Sequence, residues 1–412
     1  MIPPLLLSLA LAAATPQVDP VKPPLPRSTP PGGSPRSFRT GRYRNAFRDI
    51  GRTDAQIADR LNAAWRQLFY GDSADERVYF PVGADEAYVK DIGSDDVRTE
   101  GMSYGMMIAV QLDQRDELDR LWRWASRHMR YADGPMKGLF AWQADDKGHI
   151  KGATPASDGE EYFAMSLFFA AGRWGSRGSI DYRKEADSIL QAMLHPQSGQ
   201  SAMFDPAVKQ VVFVPSGDAA RFTDPSYHLP AFYELWSRWA KEDRPFWREA
   251  AERSRALLQK AADPSTGLHP DYSSFDGKPM KAPWDPRSPH DEFSSDAFRV
   301  AGNVAMDWLW FAGAPWESAQ EKRMLAFLAA QRPKYVSGYT LAGKPTVDYQ
   351  STGHVAMNAV AAMASPSPGA KAFIQALWDA PIPSGKWRYY DGMLYLFGLL
   401  HASGGYRIWT PK

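Results

Sequence analysis

The stretch Val97-Arg98-Thr99-Glu100-Gly101-Met102-Ser103-Tyr104-Gly105-Met106-Met107-Ile108-Ala109-Val110 carries one carboxylate near its start and then runs apolar on nearly every side. A helix lying on a protein surface keeps a polar face. This one keeps almost none after its first turn, so it reads as a helix packed inside other helices. Glu100 then stands at the mouth of a buried element. The arrangement recurs at Asp158, in Pro155-Ala156-Ser157-Asp158-Gly159-Glu160-Glu161-Tyr162-Phe163, and at Asp296, in Phe293-Ser294-Ser295-Asp296-Ala297-Phe298-Arg299. Each acid is expected to open its own apolar helix, which puts three acids at the rim of one core.

Outward from this segment the periodicity predicts twelve helices, over 53–70, 100–112, 115–128, 158–174, 181–194, 225–239, 245–262, 291–311, 316–331, 352–364, 370–378 and 387–401. Every second one is dense in Ala, Met, Phe and Leu, whereas several of the others carry charge on one face, as with Arg115, Glu117, Asp119, Arg120 and Arg123. Alternating buried and half-exposed helices imply an all-α fold, an (α/α)6 barrel of six inner and six outer helices. An α-solenoid would need a repeating sequence unit, and none is found. The connections 71–98, 131–157, 195–224 and 263–290 lead into inner helices and are long, as functional loops in a tightly packed domain often are. In such a barrel they share one end, and the site belongs there. A short strand is expected over 211–214.

With 412 residues and 44% hydrophobic content the chain can bury a large core. A net charge of +1 offers no electrostatic grip on nucleic acid. Cysteine is absent, which excludes disulfides, thiolate zinc sites and a thiol nucleophile. The eight His lack any recognisable ligand spacing, so neither a metal nor a cofactor is expected. Residues 1–14 form a short apolar run ending in small residues, the pattern of an export signal, and residues 15–36 a Pro-rich linker. The catalytic domain is expected over 37–412, with no membrane span, as a monomer exported to the periplasm or beyond the cell.

Two carboxylates can hydrolyse an acetal, one protonating the leaving oxygen while the other activates water or attacks the anomeric carbon. Burial beside Met102, Tyr104 and Met106 suits Glu100 to hold a proton near neutrality. Asp296 sits one turn before Arg299, a cation that favours the ionised form and so suits a base. Asp158 at a helix N-terminus is expected to be an anion. Any one of the three alone would read as an ordinary helix-capping acid; three at one barrel end, fed by aromatic-rich loops, read as chemistry. Fifteen Trp residues fit binding to flat sugar faces. Trp142, Trp284 and Tyr227 are either sugar platforms or loop packing.

The Glu100, Asp158 and Asp296 segments together resemble glycoside hydrolase family 8, in its xylan-active branch, over roughly residues 43–409. The resemblance implies an (α/α)6 barrel and hydrolysis with inversion. It implies Glu100 as general acid, Asp296 as general base, and Asp158 as the residue positioning water and the distorted sugar. Tyr227 and Arg299 resemble the family's supporting pair, and Trp142 its stacking Trp. The substrate implied is a xylo-oligosaccharide, cut to release xylose from its reducing end, or xylan cut internally. Exo-acting members share a Leu-His-Pro kink that closes the cleft. The corresponding Tyr349-Gln350-Ser351-Thr352-Gly353-His354 lacks it. An exo enzyme would then need its wall from residues 338–354, with His354 or Tyr349 as the polar contact. A cellulase or chitosanase of the same family, a polysaccharide lyase on the same barrel, and a non-catalytic sugar-binding protein are the rival readings.

Overall fold

In the computed structural model, which describes residues 35–411 apart from Ser198, Gln200 and Pro366, the expected interior helix is buried along its whole length except at Glu100. The leader read at 1–14, and the linker read at 15–36 but for its last two residues, lie outside the described part. Among the described residues two one-turn helices, α1 (Ser37–Thr40) and α2 (Ala46–Asp49), precede twelve longer ones. These are α3 (Asp54–Tyr70), α4 (Thr99–Leu112), α5 (Arg115–His128), α6 (Ser157–Trp174), α7 (Tyr182–Leu194) and α8 (Pro230–Trp239). They continue as α9 (Arg244–Ala261), α10 (Phe298–Phe311), α11 (Trp316–Ala330), α12 (Thr352–Ala364), α13 (Ala370–Asp379) and α14 (Arg388–Ala402).

The even-numbered helices from α4 to α14 form the inner ring. Helix α4 packs on α6, α8 on α10, α10 on α12 and α12 on α14, and α14 returns to α4. Tyr162 of α6 meets Phe232 of α8 edge-on at 5.1 Å, closing the remaining gap. Outside them α5 covers α4, α7 covers α6, α9 covers α8, α11 covers α10, α13 covers α12 and α3 covers α14. The outer helices are amphipathic for that reason: α5 turns Leu118, Leu121, Trp122 and Ala125 inward and leaves its arginines outside. One hydrophobic core runs through both rings from Ala46 to Tyr406. No described helix is long and apolar enough to cross a membrane.

The long connections are more ordered than the sequence suggests. Residues 71–98 and 131–156 supply β1 (Tyr79–Val82), β2 (Glu86–Asp91), β3 (Asp96–Arg98), β4 (Gln143–Ala144) and β5 (Ile150–Gly152), an antiparallel sheet in that order. The strand expected at 211–214 is β7 (Gln210–Val211), paired with β6 (Phe204–Asp205). Strand β3 runs directly into α4, and Thr99 N–H donates to the Trp142 carbonyl at 3.0 Å. The sheet thereby fixes Glu100 and Trp142 side by side.

Two expected helices are shorter at their starts. The one expected over 225–239 is a 3-10 turn, Pro225–Tyr227, followed by α8 from Pro230. Pro230 holds Leu229 out of the helical region, as proline does to the residue before it. The one expected over 291–311 begins only at Phe298. Phe293 is instead bridged to Tyr339, and Asp296 lies in the turn that follows.

Candidate active site

Two glycines let three inner helices converge at the mouth. A Cβ on Gly101 would lie 2.5 Å from the Tyr389 ring, and one on Gly159 would lie 2.5 Å from the Thr99 side chain. Real side chains do not approach so closely, so these positions bring α14 and α6 onto the start of α4. Glu100, Asp158 and Tyr389 meet there. None of the three acids caps a helix: α4, α6 and α10 have no side-chain cap bond at their N-termini.

The centre of the site is Arg299. Its Nη1 donates to Glu100 Oε2 at 3.0 Å, Asp158 Oδ2 at 2.9 Å and the Tyr104 hydroxyl at 2.9 Å. Its Nη2 donates to Asp296 Oδ1 at 3.3 Å. Because both nitrogens belong to one planar guanidinium, the facing oxygens of Glu100 and Asp296 lie no more than about 9 Å apart, compatible with the roughly 6.5–9.5 Å that leaves room for a water. The Tyr227 ring faces the same guanidinium, with its centroid 5.5 Å from Cζ.

Burial dominates the proton equilibria. Glu100 is raised to about 7, by desolvation first and by Asp158 and Asp296 in addition, against the pull of Arg299 and of the Tyr389 hydrogen bond. Asp296 is raised to about 6, again by desolvation, with Arg299 opposing and Asp271 and Asp158 adding. Asp158 is raised by the same cause, with Arg299 opposing. The expectation that Arg299 would hold Asp296, and a helix terminus Asp158, firmly in the ionised form is thus corrected. One guanidinium shared among several carboxylates offsets only part of their desolvation. Asp296 stays the more acidic of the proposed acid–base pair, and 31% of its side chain is exposed.

Several residues that shape the site were not singled out in the sequence. Tyr389 donates to Glu100 Oε1 at 2.9 Å, and Tyr390 donates to the Ser295 carbonyl at 2.7 Å. Asp271 accepts from Ser294 N–H at 3.2 Å and Ala297 N–H at 3.1 Å, and also from the Ser294 hydroxyl. That grip shapes the turn carrying Asp296. Among the described residues, Asp271, His290 and Asp296 form the one group of three or more acids and histidines whose ligand-type atoms all lie within 4.8 Å of one another. The Asp271 oxygens are already engaged by those donors and by His290 Nδ1 at 3.4 Å, so the trio serves as a brace. A Tyr-Tyr pair opening an apolar helix, Tyr389-Tyr390, was the signal available for the first two.

Beside the acids lies a cleft of about 440 Å³ lined by Trp142, Phe213, Val214, Tyr227 and Trp284 among others. Tyr227, Phe213 and Trp284 stack in sequence at 5.8 and 5.9 Å. Trp142, Tyr227 and Trp284 therefore share one wall system, and Trp284 is 58% exposed along it. The two expected contacts from the 338–354 connection part company. Tyr349 is 58% exposed. His354 is buried, stacked on Phe298 at 4.5 Å and bonded through Nδ1 to Ser337 Oγ at 3.2 Å. Burial lowers it to about 3, so it is a neutral packing group and not a sugar contact.

With this geometry in hand the likeness to known proteins is informative. The profile of the glycosyl hydrolases family 8 matches residues 84–404. The chain is 45% identical over 379 residues to the reducing-end xylose-releasing exo-oligoxylanase Rex8A of Paenibacillus barcinonensis, covering 90% of this chain and 98% of that one. It is 41% identical over 384 residues to the reducing end xylose-releasing exo-oligoxylanase of Halalkalibacterium halodurans, covering 91% and 97%. Among solved structures, a xylohexaose complex of a catalytic mutant of a GH8 xylanase from Teredinibacter turnerae matches with a TM-score of 0.88 and 43% identity, over 91% of this chain and all of that one.

Proposed function

Because the chain belongs to glycosyl hydrolase family 8, we propose that it is an inverting glycosidase cleaving β-1,4-xylosidic bonds, releasing xylose from the reducing end of xylo-oligosaccharides. The observation that carries the chemistry is the gathering of Glu100, Asp158 and Asp296 on the single guanidinium of Arg299. Glu100, raised to about 7, holds its proton for the glycosidic oxygen as the bond breaks. Asp296, raised only to about 6, takes a proton from the water that attacks the opposite face. Asp158 holds that water and the sugar, and Tyr227 and Trp142 bound the sugar ring. Trp284 extends the platform.

The xylose-releasing specificity rests on the relatives at 41% and 45% identity that bear that name. A second reading, endo-xylanase, is favoured by one observation. The 338–354 connection lacks the Leu-His-Pro sequence, its Tyr349 is exposed and its His354 is buried. End-labelled xylohexaose separates the two: the exo enzyme yields xylose and xylopentaose first, the endo enzyme xylobiose to xylotetraose. The leader-like residues 1–14 support work outside the cytoplasm, and residues 37–412 form the proposed catalytic domain.

A further inference from the structure

Asp224 is the acid of this cluster that the reaction leaves without a role. It is fully buried. Its Oδ1 accepts from Ser226 N–H at 2.7 Å and so caps the 3-10 turn that presents Tyr227. Its Oδ2 is sealed from solvent and has no hydrogen-bond partner among the described residues. The nearest cation is Arg299 Nη2, 3.8 Å away and already bonded to Asp296 at 3.3 Å. The other nitrogen, Nη1, shares its two hydrogens among Glu100, Asp158 and Tyr104. An ionised carboxylate oxygen in that place would be buried without a donor, among the most costly arrangements a protein core can hold.

We propose that Asp224 is a positioning residue that works with its proton on, presenting Tyr227 through Oδ1 while leaving Arg299 Nη2 to Asp296 alone. This rests on the reading of Asp296 as the general base. The charged and titratable groups facing it are Asp296, Arg299, Asp271, Tyr227, Tyr272 and Tyr390. The single cation among them is bonded to Asp296 and stands 3.8 Å off, so it opposes only part of the burial that, reinforced by Asp296, pushes the Asp224 carboxyl well above the usual range. Ionised, it would compete with Asp296 for Nη2 and raise the proton affinity of the base. Neutral, it does neither.

The test is Asp224→Asn, an amide close in shape to a protonated acid that keeps the oxygen bonded to Ser226. The expected kcat on xylohexaose is within about threefold of the parent, less than one neutral hydrogen bond is worth, with the acidic limb of the pH profile unmoved. The infrared difference spectrum, parent minus variant, is expected to contain the carbonyl stretch of a protonated carboxylic acid at pH 6.5. A hundredfold loss of kcat, an acidic limb displaced downward, or no such band would overturn the proposal. Asp224→Ser keeps a capping oxygen without a charge and decides the same question by its acidic limb should the amide fail to fold. The infrared readout needs no substrate, so inactivity of the parent would count against the glycosidase reading and leave this one to the spectrum.

Discussion

The Tyr389 hydroxyl donates to Glu100 Oε1 at 2.9 Å, across a gap that exists only because residue 101 is glycine. That bond holds the proposed acid from the side opposite Arg299, which takes Oε2 at 3.0 Å. It also lowers the Glu100 proton affinity against the larger effect of burial. Tyr389→Phe should therefore move the alkaline limb of the pH profile upward, because the protonated acid persists further, while kcat falls about three- to tenfold from lost orientation. A limb that moved downward would mean that the bond favours the protonated form.

Removing the reacting carboxyls should cost far more. Glu100→Gln, Asp296→Asn and Asp158→Asn are each expected to lose about two to four orders of magnitude in kcat, with unchanged circular dichroism. Any of the three that kept more than roughly a tenth of parent activity would have been given the wrong role.

The pH dependence follows from the proton affinities of Asp296 and Glu100. Asp296 must be ionised and Glu100 protonated, so activity should fall below about 6 and above about 7. Both limbs belong to the coupled cluster as a whole. A kcat/KM profile on xylohexaose from pH 4 to 9 checks this; a plateau held up to pH 9 would rule out Glu100 as the acid.

Away from the cleft, Glu317 is almost completely buried beside the Arg255–Asp307 ion pair and is raised to about 10, by desolvation first and by Asp307 next. A carboxyl whose affinity is raised on folding contributes fully below its unfolded value of about 4.5, and that contribution is lost as pH rises toward 10. Glu317→Gln, which keeps a donor for Asp307 without the titration, should raise Tm by about 2–4 °C at pH 8 and leave it unchanged near pH 4. Equal melting temperatures at pH 8 would show that Glu317 is not held protonated.

The barrel was legible because its inner helices lack a polar face. The interior run from Gly101 to Leu112 announces a helix surrounded by helices, and the ring around it follows from the alternation. The five-stranded sheet was not, since β3, β4 and β5 are two or three residues long and too short to show an alternating pattern. The helix expected from residue 291 starts at 298 because Asp271, more than twenty positions earlier, captures the backbone of the turn. Glu100, Asp158, Asp296 and Arg299 were found from their own surroundings. Tyr389 and Asp271 act through partners far away in the chain, Asp224 is set apart by the distant Arg299 and Asp296 around it, and His354 was misplaced because nothing local reveals that it is buried.

In the proposed reaction a water activated by Asp296 attacks the anomeric carbon directly while Glu100 protonates the leaving oxygen. Time-resolved proton NMR of xylohexaose hydrolysis, read before mutarotation, tests it most directly. Single displacement at a β-linkage gives the α-anomer as the first product on the newly formed reducing end. Appearance of the β-anomer first would contradict the account and make Asp296 a nucleophile.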